Sequence, residues 1–232
     1  METNKLYNDD CIKVMDMIEP SSIDCIITDP PYGMSFKSNS RQDQELFPVI
    51  KGDDYDNTFY LLNSFINRAY RVLKDNSCMY CFCRFDIYPL LYDTIIKEGF
   101  NIKNLLIWVK NGGALGDLES SYINNYELVI LAHKGRKILW DGGIGRSFAV
   151  ITDKSLSQDI LHPTQKPLNI LTQFIRDSTN KNDIVLDPFM GSGSTIVSCV
   201  KTDRRYIGID IDERYYNITK DRLKVKTLGK WC

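Results

Sequence analysis

The sequence predicts an α/β fold with a mostly parallel, twisted sheet and helices on both of its faces. Short apolar segments alternate with amphipathic helical segments along most of the chain, which favours parallel strands joined by helices. Two unusual polar stretches, "TDPPY" and "LDPFMGSGS", each follow an apolar segment. The chain has 232 residues, of which 43% are hydrophobic and 25% charged, and we expect a single globular domain over 1–232.

In the first half of the chain, residues 23–28 form a continuous apolar run that predicts a buried strand. Residues 58–73 carry apolar side chains at helical spacing and predict an amphipathic helix. The remaining elements predicted here are a strand over 77–83, a helix over 86–99 and strands over 101–110 and 125–135.

The second half repeats this alternation. A helix is expected to begin at Pro167, since proline is well placed as a first helical residue. Ligands of parallel sheets bind beyond the carboxyl ends of the strands, where both unusual stretches lie, so we expect a site at that edge. The other elements predicted here are a strand entering a glycine loop over 183–195, a helix over 195–200, a strand over 205–212 and a helix over 213–226.

Two segments lack the alternation of strands and helices. Residues 33–57 form a polar loop that is too long to be only a connector, and we expect it to be mobile. Residues 137–161 are rich in glycine and polar side chains. Long loops beside a site commonly serve as lids or binding elements.

The composition argues against several other classes of protein. The apolar runs are far shorter than the roughly 20 residues of a membrane span, and no secretory signal is visible at the start of the chain. We therefore expect a cytoplasmic protein without a membrane partner. Cys78 and Cys81 form a C-x-x-C, but on a strand they would point to opposite faces, so we expect buried, reduced thiols and no metal site. The net charge of −1 neither suggests nor excludes a nucleic-acid partner.

The stretch "LDPFMGSGST" predicts a nucleotide-type binding loop. Gly191 and Gly193 permit a tight turn with close approach of a ligand to the backbone, and a helix follows them. Asp210 lies at the end of the next strand, near the distance at which an acidic residue reaches a ribose. Ile196 stands where a dinucleotide fingerprint has its third glycine. The expected ligand therefore has a ribose but need not have a pyrophosphate.

The stretch "DPPY" suits a planar ring that carries an exocyclic amine. Asp29 and the carbonyl group of Pro30 can accept hydrogen bonds from the amine, Pro31 stiffens the bend, and Tyr32 offers a flat face for stacking. The amine of a nucleobase is a poor nucleophile because its lone pair is delocalised into the ring. Hydrogen bonds accepted from its protons localise that lone pair for attack on an electrophile.

In this order, "DPPY", "HPTQKP", "DPFMGSGST" and "RYIGIDID" resemble the amino-methyltransferases of DNA, in the β group whose catalytic motif precedes the cofactor motif. The resemblance spans most of the chain. It implies a Rossmann-like methyltransferase fold with permuted motif order, S-adenosylmethionine as methyl donor and a flipped-out base in duplex DNA as acceptor. It also implies the cytoplasm of a prokaryotic or phage-type host cell.

The resemblance assigns roles residue by residue. Asp29, Pro30, Pro31 and Tyr32 match the catalytic motif, and Asp210 the ribose-binding acid. The expected cofactor-binding residues are Asp10, Cys11, Asp29, Lys166, Pro167, Asp187, Pro188, Phe189, Gly191, Ser192, Gly193, Ser194, Asp210 and Ile211. The chain departs from the family pattern at three points, with Asp210 in place of the more frequent glutamate, no glycine before Asp10, and Ser194 where threonine is common.

Contacts to DNA are expected from basic residues near a short target-recognition insert at about 136–161. These residues are Lys134, Arg136, Lys137 and Arg146. A short insert favours a short target of about 4 base pairs, or help from partner subunits. Besides double-stranded DNA, the sequence leaves open a homodimer and a cognate restriction endonuclease.

The aspartate that leads the catalytic motif leans towards adenine, whereas a serine there would lean towards cytosine. Methylation of the cytosine N4 amine stays open, as does a catalytically silent DNA-binding subunit. Structural alternatives also exist, since Asp29 could cap a turn and Asp187 could serve only the fold. The order of the motifs argues against RNA or a small molecule as the acceptor.

Overall fold

The structure of the chain, a computed structural model, is described here for residues 1–32, 55–110, 122–136, 147–152 and 166–225. Its strands are β1 (Lys5–Tyr7), β2 (Ile23–Thr28), β3 (Leu73–Cys83), β4 (Asn101–Val109), β5 (Tyr126–Lys134), β6 (Val150–Thr152), β7 (Ile184–Asp187) and β8 (Arg205–Ile209). Its helices are α1 (Cys11–Asp16), α2 (Tyr55–Val72), α3 (Tyr88–Lys97), α4 (Leu168–Ser178), α5 (Ser194–Lys201) and α6 (Glu213–Val225).

The strands form one sheet in the order β1-β8-β7-β2-β3-β5-β4-β6. Along this order, the first five strands (β1, β8, β7, β2 and β3) are parallel to their neighbours. Strand β5 runs antiparallel to both β3 and β4, and β6 pairs in parallel with β4. The predicted α/β fold with a mostly parallel sheet is therefore confirmed, with β5 as the antiparallel exception.

Hydrophobic packing covers the sheet on both faces. One core cluster joins α1, α2 and α3 to the sheet through residues such as Met15, Phe65 and Leu91. The other joins α4 to the opposite face through residues such as Phe174, which stacks on Tyr80 with ring centroids 4.4 Å apart. Burial on both faces fixes the register of the central strands, because a one-residue slip would turn each apolar side chain to the wrong face.

The thiols of the C-x-x-C lie on opposite faces of β3, as the strand assignment predicts. Cys78 belongs to the cluster that contains α4, and Cys81 to the cluster that contains α1 to α3. Both are buried thiols that are not part of a disulfide.

The structure differs from the predicted elements in several places. Sequence reasoning did not assign β1 or α1, which are only three and six residues long. Helix α2 begins at Tyr55, so the last three residues of the predicted 33–57 loop are helical, and the rest of that loop lies outside the described residues. Strand β3 begins at Leu73, directly after α2, because Leu73 pairs with Ile23 of β2.

The predicted recognition insert contains an edge strand. Val150, Ile151 and Thr152 pair with Ile107, Trp108 and Val109 of β4. Most of the rest of the 136–161 segment lies outside the described residues. Within the ranges described, no helix has both the length and the apolar character needed to cross a membrane.

Candidate active site

The sheet order brings four carboxylates to one edge. Asp187 ends β7, and Asp29 and Asp210 directly follow β2 and β8. Asp10 lies three residues after the end of β1, and β1, β8, β7 and β2 are consecutive in the sheet. With neighbouring strands about 4.8 Å apart, these four ends span about 14 Å. Residues that are widely separated in the sequence therefore line one continuous edge, as the motif positions predict.

The end of β2 is a bend between a buried strand and a charged cluster. Thr28 is buried, Asp29 is half-buried, and Pro30 and Pro31 then stop the strand because they supply no ladder N–H. The hydroxyl group of Tyr32 donates a hydrogen bond to Asp29 Oδ1. Burial, with the negative charge of Asp29 next in size, raises the pKa of Tyr32 well above its usual value, so Tyr32 is a neutral phenol.

Lys166 supplies the second contact of Asp29. Its Nζ lies 2.6 Å from Asp29 Oδ2 and 2.9 Å from Glu127 Oε2. Burial works to lower the pKa of Lys166, but the carboxylates of Asp29 and Glu127 outweigh it and raise that pKa above its ordinary value. Lys166 is therefore a buried ammonium ion held between two carboxylates.

Sequence reasoning missed Glu127 and Lys110. Glu127 lies on β5, and its other oxygen, Oε1, is 2.5 Å from the Nζ of Lys110, which follows β4. A signal was present in the sequence, because "NYELVILA" places one glutamate in an otherwise apolar strand. Its partners could not be read from the sequence, since they come from other elements of the fold.

At the end of β7, Asp187 is almost fully buried, with 3% exposure. Its Oδ1 accepts a hydrogen bond of 3.2 Å from the amide of Phe189. Burial raises the pKa of Asp187 to about 7, although hydrogen bonds from the Thr195 side chain and the Phe189 amide lower it, and the nearby charge of Asp29 raises it further. Asp187 therefore titrates near neutral pH.

The glycine turn after β7 has the backbone conformation that its residues predict. Gly191 and Gly193 adopt φ values of 50° and 78°, in the left-handed region that favours glycine. A Cβ on Gly193 would lie 2.4 Å from Thr219 of α6, whereas a Cβ on Gly191 would meet no atom within 4 Å. Gly193 therefore serves the packing of α6, and Gly191 borders open space at the site.

The remaining predicted residues of this turn face the protein interior. Pro188, Ser192 and Ser194 are buried, and the carbonyl group of Ser192 accepts a hydrogen bond of 2.5 Å from Arg222. Phe189 is half-buried and packs edge-to-face on Phe65 of α2 with ring centroids 5.4 Å apart.

Asp210 connects the end of β8 to the glycine turn. Its Oδ2 accepts a hydrogen bond of 2.8 Å from the amide of Gly191, and its Oδ1 accepts one of 2.9 Å from the amide of Asp212. Burial raises the pKa of Asp210 to about 6, against the two amide hydrogen bonds that lower it. Each oxygen keeps a further lone pair, so the carboxylate can still accept a hydroxyl group.

The end of β1 supplies Asp10 and Cys11. Asp10 caps α1, with its Oδ1 accepting hydrogen bonds of 2.8 and 3.2 Å from the amides of Ile12 and Lys13. Burial, with the charge of Asp10 next, raises the pKa of Cys11 to about 12, so it is a neutral thiol. Ile211, after β8, is 55% exposed at the same edge. Pro167 is the N-cap of α4, so the helix begins at Leu168, one residue after the predicted start.

Two of the predicted DNA-contacting residues lie away from this edge. Lys134 ends the antiparallel strand β5 and pairs in register with Ser77 near the amino end of β3, opposite to the edge that carries Asp29. Its Nζ contacts the carbonyl group of Leu73 at 2.8 Å. Arg136 follows it on that side, whereas Lys137 and Arg146 lie outside the described residues. The structure thus does not bring Lys134 or Arg136 to the site.

A parallel sheet with carboxylates and a glycine turn at its carboxyl edge is typical of the nucleotide-dependent α/β enzymes. Comparison with known proteins gives the particular family. A family model described as DNA methylase, of the N6 and N4 methyltransferase type, matches residues 23–221. The chain belongs to this family. Its predicted assignment as an S-adenosylmethionine-dependent DNA amino-methyltransferase is confirmed.

Individual relatives agree with this assignment. The type II methyltransferase M2.LlaDCHI of Lactococcus lactis subsp. cremoris is 32% identical, in an alignment that covers 94% of this chain and 88% of the relative. A solved structure of the M1.HpyAVI–SAM complex is 27% identical with a TM-score of 0.70, over 94% of this chain and 98% of that one. PvuII DNA methyltransferase (cytosine-N4-specific) reaches a TM-score of 0.77 at 14% identity, over 95% and 86% of the two chains, and shows the fold alone.

Proposed function

We propose that the chain transfers a methyl group to the N6 amine of an adenine that is flipped out of a short target sequence in duplex DNA. The observation that carries this proposal is the position of Asp29, which lies beside Tyr32 at the end of β2, next in the sheet to the strand that leads into the glycine turn. An amine held at Asp29 would therefore lie close to a ligand held at that turn.

Asp29 and the carbonyl group of Pro30 accept the two hydrogens of the amine in this proposal. Tyr32 and Lys166 each occupy one oxygen of Asp29, and each carboxylate oxygen has a second lone pair that is available to the amine. The ring of Tyr32 stacks on the base. Since the duplex hides the amine, the base must leave the helical stack, at a cost of a few kcal/mol.

The cofactor is S-adenosylmethionine, with which the similar M1.HpyAVI has been solved in complex. When bound, it supplies an electrophilic methyl group on a positively charged sulfur. The residues at the edge fit such a ligand, because Gly191 borders open space and the carboxylates of Asp29, Asp187 and Asp210 favour a cation there.

The proposed cofactor contacts come from the segments that follow β1, β7 and β8. Asp210 accepts the ribose hydroxyls, the Gly191 turn and Asp187 hold the methionine part, and Asp10, Cys11 and Ile211 surround the adenine ring. The whole chain acts as one methyltransferase domain, with residues at about 136–161 as a short recognition element.

The choice of adenine rests on the aspartate at the head of the catalytic motif. The family includes both N6 and N4 enzymes, so cytosine N4 is the second candidate, and it would use the same contacts at Asp29 and Tyr32. A homodimer and a cognate restriction endonuclease are compatible with this function, since a relative of this chain is a type II methyltransferase.

The test is transfer of labelled methyl groups from S-adenosylmethionine into duplex DNA, followed by nucleoside analysis. We expect N6-methyladenine from the wild type and at least a 100-fold lower rate, about 3 kcal/mol, from Asp29→Ala. Asp203→Ala, which removes a carboxylate with 66% exposure, is the matched control and should keep the wild-type rate. Detection of N4-methylcytosine in place of N6-methyladenine would show that cytosine is the target base. A fully active Asp29→Ala would show that the proposed site is wrong.

A further inference from the structure

Four charged side chains form a continuous chain that ends at the catalytic motif. Lys110 contacts Glu127 Oε1 at 2.5 Å, Lys166 contacts Glu127 Oε2 at 2.9 Å, and Lys166 contacts Asp29 Oδ2 at 2.6 Å. The residues come from the ends of β4 and β2, from β5, and from the segment that precedes α4. Residues from four separate elements thus form one series of contacts, and its last contact is between Lys166 and Asp29 Oδ2.

Burial distinguishes this chain of charges from a surface ion pair. The side chains of Lys166 and Glu127 are 9% and 16% exposed, whereas that of Lys110 is 36% exposed. An exposed pair contributes about 1 kcal/mol or less, but a buried charge whose partner is removed is strongly destabilised. Lys166 also lies over the ring of Phe82, with its Nζ 5.0 Å from the centroid, which fixes its position further.

We propose that Glu127 is a positioning residue that acts on Asp29 through Lys166. It holds the ammonium group of Lys166 in the geometry that orients Asp29, and it balances the charge of Lys166 so that the site keeps the negative charge of Asp29. The inference rests on the proposed function, in which Asp29 accepts the target amine.

The charge of Glu127 matters because positive charge develops on the amine. As the bond from nitrogen to methyl forms, the bond from sulfur to methyl breaks and its electron pair stays on sulfur. The amine nitrogen then carries the positive charge until one of its protons passes to water. With Glu127 in place, the charges of Lys110, Glu127, Lys166 and Asp29 sum to zero. Without the charge of Glu127 they sum to +1, which disfavours the positive charge that develops on the amine.

Lys110 plays a lesser part in this arrangement. It contacts the outer oxygen of Glu127, and its greater exposure lets solvent screen its charge. We therefore expect the effect of substitution to fall in the order Lys166, Glu127, Lys110.

The experiment is a double-mutant cycle of Glu127→Gln and Lys166→Met, read as kcat and as KM for DNA and for S-adenosylmethionine. Glu127→Gln should lower kcat by about 10-fold or more, because a small misplacement of a reacting group is costly, with KM values within about threefold. In the Lys166→Met background, Glu127→Gln should change kcat by less than about twofold, since residues that act through each other are not additive.

Multiplicative effects of the two substitutions would overturn the inference, as would a Glu127→Gln enzyme with wild-type kcat. If Glu127→Gln does not fold, as judged by thermal unfolding, the same cycle with Lys110→Met in its place carries the test. Lys181→Met, which breaks an exposed pair with Asp203 near the opposite edge of the sheet, should change neither constant.

Asp29→Ala is measured in parallel, so that two failures can be told apart. If Asp29→Ala is inactive while Glu127→Gln equals the wild type, only the role of Glu127 fails. If Asp29→Ala is fully active, the proposed function fails whatever Glu127 does.

Discussion

Two neighbouring strands of this sheet end in the same dipeptide, Asp-Pro, and their aspartates differ in charge environment. The carboxylate of Asp29 is 23% exposed and is held by the ammonium group of Lys166 and the phenol of Tyr32. Asp187 is 3% exposed and is held by neutral donors, the Phe189 amide and the Thr195 side chain. Burial therefore raises the pKa of Asp187 to about 7.

The partners of an aspartate at a strand end, and not its local sequence, therefore decide what its carboxyl group can do. Asp29 has the ammonium group of Lys166 beside it, which offsets the cost of burying a negative charge there. Among the described residues, no cationic side chain forms an ion pair with Asp187, and a bound cation would favour its ionised form. The protein thus supplies a positive charge beside Asp29, whereas the site at Asp187 favours a ligand that carries a positive charge.

The largest expected effect concerns Asp187→Asn. A carboxyl group whose pKa is raised in the folded state stabilises the protein at low pH, and this contribution is lost as pH rises from about 4 to about 7. Asn does not titrate, so the variant keeps its stability as pH rises while the wild type loses it. The unfolding free energy of the variant minus that of the wild type should therefore increase by about 4 kcal/mol from pH 4 to pH 8. Urea unfolding at several pH values measures the difference.

The same variant also tests whether the charge of Asp187 contributes to cofactor binding. If Asp187 provides charge for the cofactor, Asp187→Asn should bind S-adenosylmethionine more weakly while it gains stability at pH 8. Asp183→Asn, just before β7, is the control in both measurements. A pH-independent difference between Asp187→Asn and the wild type would show that Asp187 does not titrate in this range.

A second contrast lies within the glycine turn. Gly193→Ala should lower stability by about 3 kcal/mol, because alanine at φ 78° is strained and its Cβ would lie 2.4 Å from Thr219. Gly191→Ala at φ 50° meets no atom within 4 Å, so its cost should be about 1 kcal/mol.

The two variants should rank in the opposite order when the loss of cofactor affinity is measured. The added methyl group at Gly191 enters the open space proposed for the ligand, so Gly191→Ala should weaken binding of S-adenosylmethionine more than Gly193→Ala does, at a temperature where both variants are folded. Calorimetric titration of both variants measures it. Equal affinities would place the ligand elsewhere along the edge.

The smallest expected effect is that of Tyr32→Phe. It removes the hydroxyl group that donates to Asp29 Oδ1 and keeps the ring. Loss of one hydrogen bond to a carboxylate should lower kcat about fivefold, or about 1 kcal/mol. Tyr32→Ala also removes the stacking face and should lose considerably more. Identical rates for the two variants would mean that the ring has no role in holding the base.

Much of the fold could be predicted from the sequence because the central strands are long apolar runs. Residues 23–28 match β2, and the helix at 213–226 differs from α6 by one residue. Short elements were missed, since the three residues of β1 and of β6 carry too little periodicity and form by pairing with β8 and β4. The α4 boundary moved by one position because Pro167 serves as the N-cap.

In the candidate site, too, local features could be predicted from the sequence and contacts between distant residues could not. The left-handed glycines and the aspartates at strand ends are local features, and the sequence alone identified them. Lys166 was expected beside the cofactor, which stays a prediction, and its contacts with Asp29 and Glu127 could be seen only in the structure. Lys134 and Arg136 were expected at DNA, but the antiparallel direction of β5 carries them to the far edge of the sheet.

Residue types at short spacing were enough to predict the alternation of strands and helices, the two Asp-Pro strand ends and the family. Which charges meet, and which carboxyl group loses water, became visible only in the folded chain. Those outcomes depend on burial and on contacts between residues far apart in the chain, and electrostatic energies depend on both.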